Sequence, residues 1–394
     1  MNHAPTAIIL ILALASPALA CLWDTDTLLD EQRGMPSVAS ILAGKWERHS
    51  TFFYEQRIAA SRKTLEVEPK NLPAMDDLAV ALEKSGRVNE AIDVMTRKLE
   101  IDPDGYTTHA NLGTFYLHSG DLDNGIAHIE RALKINPDAH FGRERYQLMV
   151  AQYIRDGKAN PAVFASGSFV VPLIVNEGPD TRAMIGDAKY YEMLASQRDL
   201  IDHGSRRDNP QIAKAIEGVV GMIRFGTGTS PDLFYALGDL LAARQDRHLA
   251  YRAYNRAIQL GHRDPQQVRA AMERMKEFHE DQSGFRDDVI AAEQKDGVAW
   301  LAAYQAYEDD LLRAGRNTAD PAQFAAFYKQ HGDPRAVPAK PALWLATTLS
   351  LLRRNLLIDF LILAGVALVI ATFRQIRNDR RKRRAGTVPV MADA

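Results

Sequence analysis

One cysteine, Cys21, stands in a chain of 394 residues, so no intramolecular disulfide can form and stability must come from packing. The recognisable signatures of catalysis are also missing. The sequence has no HExxH zinc motif, no GxSxG nucleophile motif and no GxGxxG run following a strand. Gly221 to Gly228 (GMIRFGTG) superficially suggests a phosphate loop, yet no Lys-Ser/Thr follows its second glycine. Gly218 and Gly221 are better read as points of close helix packing. Eleven histidines are scattered without ligand spacing, and His118 and His128 read as surface residues. Neither a cofactor nor a metal is expected.

A basic surplus is absent from most of the chain. The formal net charge is −2, and seven of the 48 basic residues against two of the 50 acidic ones lie from Arg374 onward, leaving −7 on residues 1–373. An acidic body of this kind argues against nucleic-acid binding, which needs a basic face. With 46% hydrophobic residues the chain is not composed like a disordered one.

What is present is a period. Pro69, Pro103 and Pro137 recur every 34 residues, each closing a helical stretch. Units starting at Leu72 and Tyr106 place Leu78, Ala79, Leu82, Gly86, Ala91, Met95 and Leu99 in the first. Leu112, Gly113, Tyr116, Gly120, Ile129, Ala132 and Leu133 fall in the second. Gly86 and Gly120 sit where the first helix of each unit must end in a left-handed turn, and the prolines stop the second helices. This pattern resembles the tetratricopeptide repeat (TPR), a helical hairpin that stacks into a solenoid. Two positions depart from it: Lys98 replaces the usual small residue, and Gly125 stands where alanine is expected. A third copy runs from Pro231 to Asp264, with Gln245 in place of the turn glycine and Pro265 three residues late. The stretch before Pro69 reads as a degenerate or capping unit.

The expected fold is all-α: a TPR-like helical-hairpin solenoid with an irregular insertion and one C-terminal transmembrane helix. Residues 1–20 form a signal peptide, 21–70 an N-terminal segment and capping helix, and 71–156 the repeat pair with a capping helix. An insertion at 157–230 precedes the third unit at 231–265. C-terminal helices at 266–333 and a linker at 334–355 lead to a membrane span at 356–373 and a basic tail at 374–394.

The two ends carry the topology. Ala7 to Ala15 is apolar, Pro17 breaks it, and Ala18-Leu19-Ala20 precedes Cys21, the pattern of a secretory signal although no Lys or Arg lies near Met1. Lipidation of Cys21 is an alternative, though Ala18 stands where a lipobox prefers leucine. Leu356 to Phe373, interrupted by Asp359, spans about 27 Å at 1.5 Å per residue, close to the bilayer core. Seven basic residues follow it against Arg353 and Arg354 before it, placing the C-terminus in the cytoplasm. The expected location is the cytoplasmic (inner) membrane, single-pass, with the N-terminal ectodomain outside.

The TPR resemblance implies binding of protein partners on a concave face lined by first helices. In this register Asn111, Thr114 and His118 face that groove, with Arg145 from the following helix. Asn111 and Arg145 match the carboxylate-clamp subfamily, but Asp76 and Val80 replace its lysine and asparagine. The opening Cys21-Leu22-Trp23-Asp24-Thr25-Asp26 resembles that of exported bacterial TPR proteins, a likeness that implies no activity. Asp24, Asp26, Asp30 and Glu31 could surround a divalent cation; they read more simply as a solvated segment in which Asp or Thr caps a helix.

The leading expectation is a non-enzymatic scaffold for protein partners, held to the bilayer through 356–373. Alternatives are an envelope enzyme with a site in 158–230 and a transmembrane sensor. A closed polar pocket in 158–230 would favour the enzyme, and an open groove the scaffold.

Overall fold

The computed structural model describes residues 22–138, 142–160, 209–226, 228–277 and 282–336, together with isolated positions between 161 and 208. The expected signal peptide, Cys21, the membrane span and the basic tail lie outside the described residues. So does most of the insertion. Among the described residues every regular element is helical, and no helix is long and apolar enough to cross a membrane. The chain divides into two units, residues 1–336 and 337–394, and all that follows concerns the first.

Numbered over the described residues, the helices are α1 (Thr25–Gln32), α2 (Val38–Ala43), α3 (Thr51–Val67), α4 (Leu72–Lys84), α5 (Val88–Ile101), α6 (Tyr106–Ser119) and α7 (Leu122–Ile135). They continue with α8 (Arg143–Ala159), α9 (Pro210–Phe225), α10 (Pro231–Ala243), α11 (Arg247–Gln259), α12 (Pro265–Lys276), α13 (Asp287–Arg313) and α14 (Ala325–His331). Their starts share a local chemistry. Asn209, Ser230 and Asp264 each cap a helix with a side-chain oxygen, and a proline takes the first helical position, where its missing N–H costs nothing. Gly86 and Gly120 adopt the left-handed turn at φ 78° and 91°. Gln245 takes the same conformation at φ 67°, so the third hairpin keeps the turn without the glycine.

From α3 to α12 each helix packs on the next, so the stack is continuous. The helix α9, within the segment read as an insertion, belongs to this stack and packs between α8 and α10. The expected close helix contacts are there: a methyl group on Gly218 would meet Tyr146, and one on Gly221 would meet Arg143. The stack is also closed. The 27-residue α13 returns to pack on α2 and α3, and α2 touches α9 and α11 from inside.

Burial follows from this closure. The second helices of the two repeats each hide only a stripe, four residues of α5 and five of α7. The first helices α4 and α6 bury nine residues each, and all 13 residues of α10 are buried. The N-terminal segment supplies inner cover for part of the stack, α1 packing on α4 and α2 on α9 and α11. Trp300, Tyr304, Tyr307 and Leu311 of α13 form a separate core with Phe324 and Phe327. Gly315, at φ 66°, follows the end of that helix.

Candidate functional site: the inner face of the repeats

The inner face of α4 and α6 is occupied by the chain itself. Leu22 is fully buried among Met75, Leu78, Ala79, Leu82, Leu112 and Phe115. Beside it the Asn111 amide holds the main chain of Trp23 at both ends: the Trp23 N–H donates to Asn111 Oδ1 at 2.8 Å, and Asn111 Nδ2 donates to the Trp23 carbonyl at 2.9 Å. The same Nδ2 lies 3.1 Å from Asp76 Oδ1. Asp76 is in turn fixed by Lys98 Nζ at 2.6 Å and by the Thr107 hydroxyl at 3.1 Å. Burial pushes the Asp76 carboxyl up, while Lys98 and the hydrogen bonds pull it back towards its charged form. Lys98 is thus no accident in the repeat pattern. It is 1% exposed and is the counter-ion of a carboxylate that orients Asn111.

The other residues assigned to this face are placed as follows. Thr114 is buried and accepts from Gln147 Nε2 at 3.0 Å. His118, read as a surface residue, is half-buried, with its side chain turned in against Glu83 and Nδ1 2.6 Å from Oε1. His128 is half-buried, its Nδ1 2.9 Å from that of His109, and burial and that neighbour lower its pKa to about 4. Although burial works against it, Lys84 and His118 hold the Glu83 carboxyl at about 2. Arg145 is exposed, and the inward position on α8 belongs to Arg143, which pairs with Glu31 of α1 and lies 5.3 Å from the Phe225 ring. Glu144 also points inward, accepts from the Tyr106 hydroxyl, and is raised to about 7 by burial. Sequence register missed Arg143 and Glu144 because residues 139–141 separate α8 from the second repeat, and its helical phase could not be carried across them.

Asp24 caps α1, accepting from Thr27 N–H at 3.2 Å, as a capping role for this segment required. The segment is only partly solvated: Leu22, Asp24 and Thr27 are buried, while Thr25 and Gln32 are exposed. Among the described residues no group of three or more His, Cys, Asp or Glu side chains could hold a metal ion.

Below α1 lies a polar cavity of about 330 Å³. Its wall comes from α1 (Asp24, Asp26, Asp30), the α2–α3 loop (Glu47, Arg48, His49), α3 (Tyr54), α4 (Glu83, Lys84), the end of α9 (Arg224, Phe225) and α13 (Leu301, Gln305). The pocket considered for an enzyme was in 158–230; the described cavity draws on that range only through Arg224, Phe225 and Gly226. Most charges in the wall are already matched. Asp26 pairs with Arg57 at 2.6 Å, Glu47 with Arg335 at 3.2 Å, and Asp30 with Arg33 at 2.9 Å. His49 bridges Asp30 and Glu308, at 3.5 and 2.7 Å. Against the effect of burial, Glu308 and Asp30 raise the His49 pKa well above its usual value. Arg224 donates to the Gly34 carbonyl at 2.8 Å and the Asp30 carbonyl at 3.1 Å.

Tetratricopeptide-repeat family models match residues 74–105 and 106–139. The chain contains two tetratricopeptide repeats. They are the α4–α5 and α6–α7 hairpins, whose inner helices carry Asp76, Glu83 and Asn111. The solved structure of YrrB, described as a TPR protein with an unusual peptide-binding site, is similar at 16% identity over 54% of this chain and 98% of that one, with a TM-score of 0.27. The structure of Naa15/Naa10 bound to HypK-THB is similar at 15% identity over 69% of this chain and 42% of that one, with a TM-score of 0.26. Among curated proteins nothing matches.

Proposed function

We propose that this protein is a non-enzymatic TPR scaffold that engages protein partners at the outer face of the cytoplasmic membrane, in assembly or tethering of envelope complexes. The observation that carries the scaffold reading is the Asn111 grip on Trp23. Two hydrogen bonds to one residue's main chain, independent of its side chain, are the chemistry by which a repeat groove holds an extended peptide. Here that groove holds residues 22–32 of the same chain. A partner that uses the groove must displace this segment, whereas Arg145 and the outward sides of α5 and α7 are exposed with the segment in place. The location rests on sequence: the apolar run 356–373, the basic residues after it and the leader-like first 20 residues.

Crosslinking and pull-down of the full-length membrane protein tests the scaffold. Partners should be captured reproducibly by the wild type, and capture should change when Asn111 and Arg145 are both replaced while the helical signal is retained. Identical capture would move the binding surface elsewhere. Location is tested separately: a reporter active only outside the cytoplasm should signal when fused after Gly332 and stay silent after Ala385. The reverse pattern would reject the topology.

A further inference from the structure

Among the described residues the ion pairs of the cavity wall leave out the Asp24 carboxyl and two guanidiniums, Arg224, which donates to the Gly34 and Asp30 carbonyls, and Arg48. Asp24 is 7% exposed, and its sole described hydrogen bonds come from its own helix start. The leading charges acting on it are Asp26 and Asp77, both negative. Burial and those carboxylates raise it to about 7. Arg48 has the opposite problem. It stacks 4.4 Å over the Trp46 ring, its Nε is buried without a hydrogen-bond partner, and among the described residues no carboxylate lies within ion-pair distance. Burial and the nearby Arg256 lower its pKa to about 10. Both residues line the same cavity, and the Tyr54 hydroxyl between α3 and the cavity makes no hydrogen bond among the described residues.

A carboxyl buried without a counter-ion costs stability, as does a half-buried guanidinium whose Nε is buried without a partner. Such groups are retained where a ligand completes them. The ligand must then bring a cationic donor to one and an anionic acceptor to the other. A free phosphate or another anion would meet the carboxyls of Asp24, Asp26 and Glu83. A bare metal ion lacks a described ligand set. Val80, Phe225 and Leu301 add an apolar wall to the polar one, and the volume is that of a small-molecule pocket.

We propose that this cavity binds a small zwitterion of the amino-acid class, a free amino acid or a short unblocked peptide, with its ammonium group at Asp24 and its carboxylate at Arg48. The ligand would be held between the N-terminal segment, the repeats and α13, so its binding would tie these three parts together.

Full-length protein in detergent is titrated by calorimetry and thermal shift with L-amino acids, unblocked di- and tripeptides, and the N-acetyl and C-amide form of each. At least one unblocked compound should bind saturably and raise the melting temperature. Blocking either end should weaken it tenfold or more. Asp24→Asn keeps the helix cap and should abolish discrimination against N-acetyl forms; Arg48→Gln should abolish discrimination against amides, and Arg48→Lys should retain part of it. Free amino acids and peptides are distinguished by which of them saturates. Absence of binding throughout the panel, equal binding of blocked and unblocked forms, or stabilisation by calcium or magnesium chloride alone would each overturn the proposal. The wild-type comparison of blocked and unblocked forms decides the matter even if a variant fails to fold.

Discussion

The Asn111 side chain and the Trp23 main chain are joined by a reciprocal pair of hydrogen bonds across 88 positions of sequence. A repeat residue thereby treats an N-terminal segment of its own chain as a peptide ligand, and with Leu22 this contact places that segment on the inner face of α4 and α6. Asn111→Ala should leave the Trp23 N–H and C=O and Asp76 Oδ1 short of partners, at about 1–3 kcal/mol for each group that water cannot reach. The sharper readout is hydrogen exchange. Amides of residues 22–32 should lose protection while those of α6 keep theirs; unchanged protection would mean that Leu22 burial alone holds the segment.

Lys98 and Asp76 form the buried pair behind that contact, 2.6 Å apart. Lys98→Met removes the counter-ion and leaves a buried carboxylate, so denaturant unfolding should show a loss of about 3–5 kcal/mol. Adding Asp76→Asn should recover part of this, because the amide carries no charge and can still accept from Asn111. A double variant no better than the single would show that Lys98 acts through packing.

His49 predicts a pH dependence. Its folded pKa is raised, chiefly by Glu308 and Asp30 acting against burial. Its contribution is therefore fully present below the unfolded value near 6.5 and is lost as pH rises through the folded value. The stability difference between wild type and His49→Gln should be largest at about pH 6 and shrink at alkaline pH. Asp24 and Glu144 act in the same direction over a lower window. Both are raised by burial to about 7, so charging them penalises the folded state as pH rises from about 4 towards 7. A His49 difference that grows with pH would mean that the ring is buried neutral.

The repeat was legible because its spacing encodes local geometry. Prolines 34 residues apart and glycines at the turns specify helix ends irrespective of the rest of the chain. Gln245 shows the limit of that legibility: it departs from the pattern, yet its backbone adopts the same left-handed turn because the packed hairpin imposes it. Lys98 looked like a blemish for a related reason, since its partner Asp76 sits on a different helix, 22 residues earlier. The filled groove was not legible at all. Leu22 and Trp23 reach α4 and α6 through contacts with no sequence period, and nothing in the composition of residues 22–35 marks them as an inner layer rather than a solvated tail. The closing role of α13 was hidden likewise, because its aromatic stripe announces one buried face but not a second against α2.

That second face gives the last prediction. Gly297 sits where α13 crosses the end of α2, and a methyl group added there would lie 2.0 Å from the Ala43 carbonyl oxygen. Backbone is on the other side of the contact, so no flexible side chain can move to relieve it. Gly297→Ala raises the intrinsic helix propensity of α13 by about 1 kcal/mol, which in an isolated helix would stabilise. Packing should win here, because overpacking against rigid backbone costs about 1–3 kcal/mol and sometimes more. The helix should stay formed but separate from α2, weakening the His49–Glu308 and Ser50–Asp309 contacts that pin α13 to α3. Limited proteolysis should then cut in the 277–287 connection faster than in wild type, with little change in total helical signal. Wild-type cleavage rates with a raised melting temperature would show that α13 does not close the stack through this crossing.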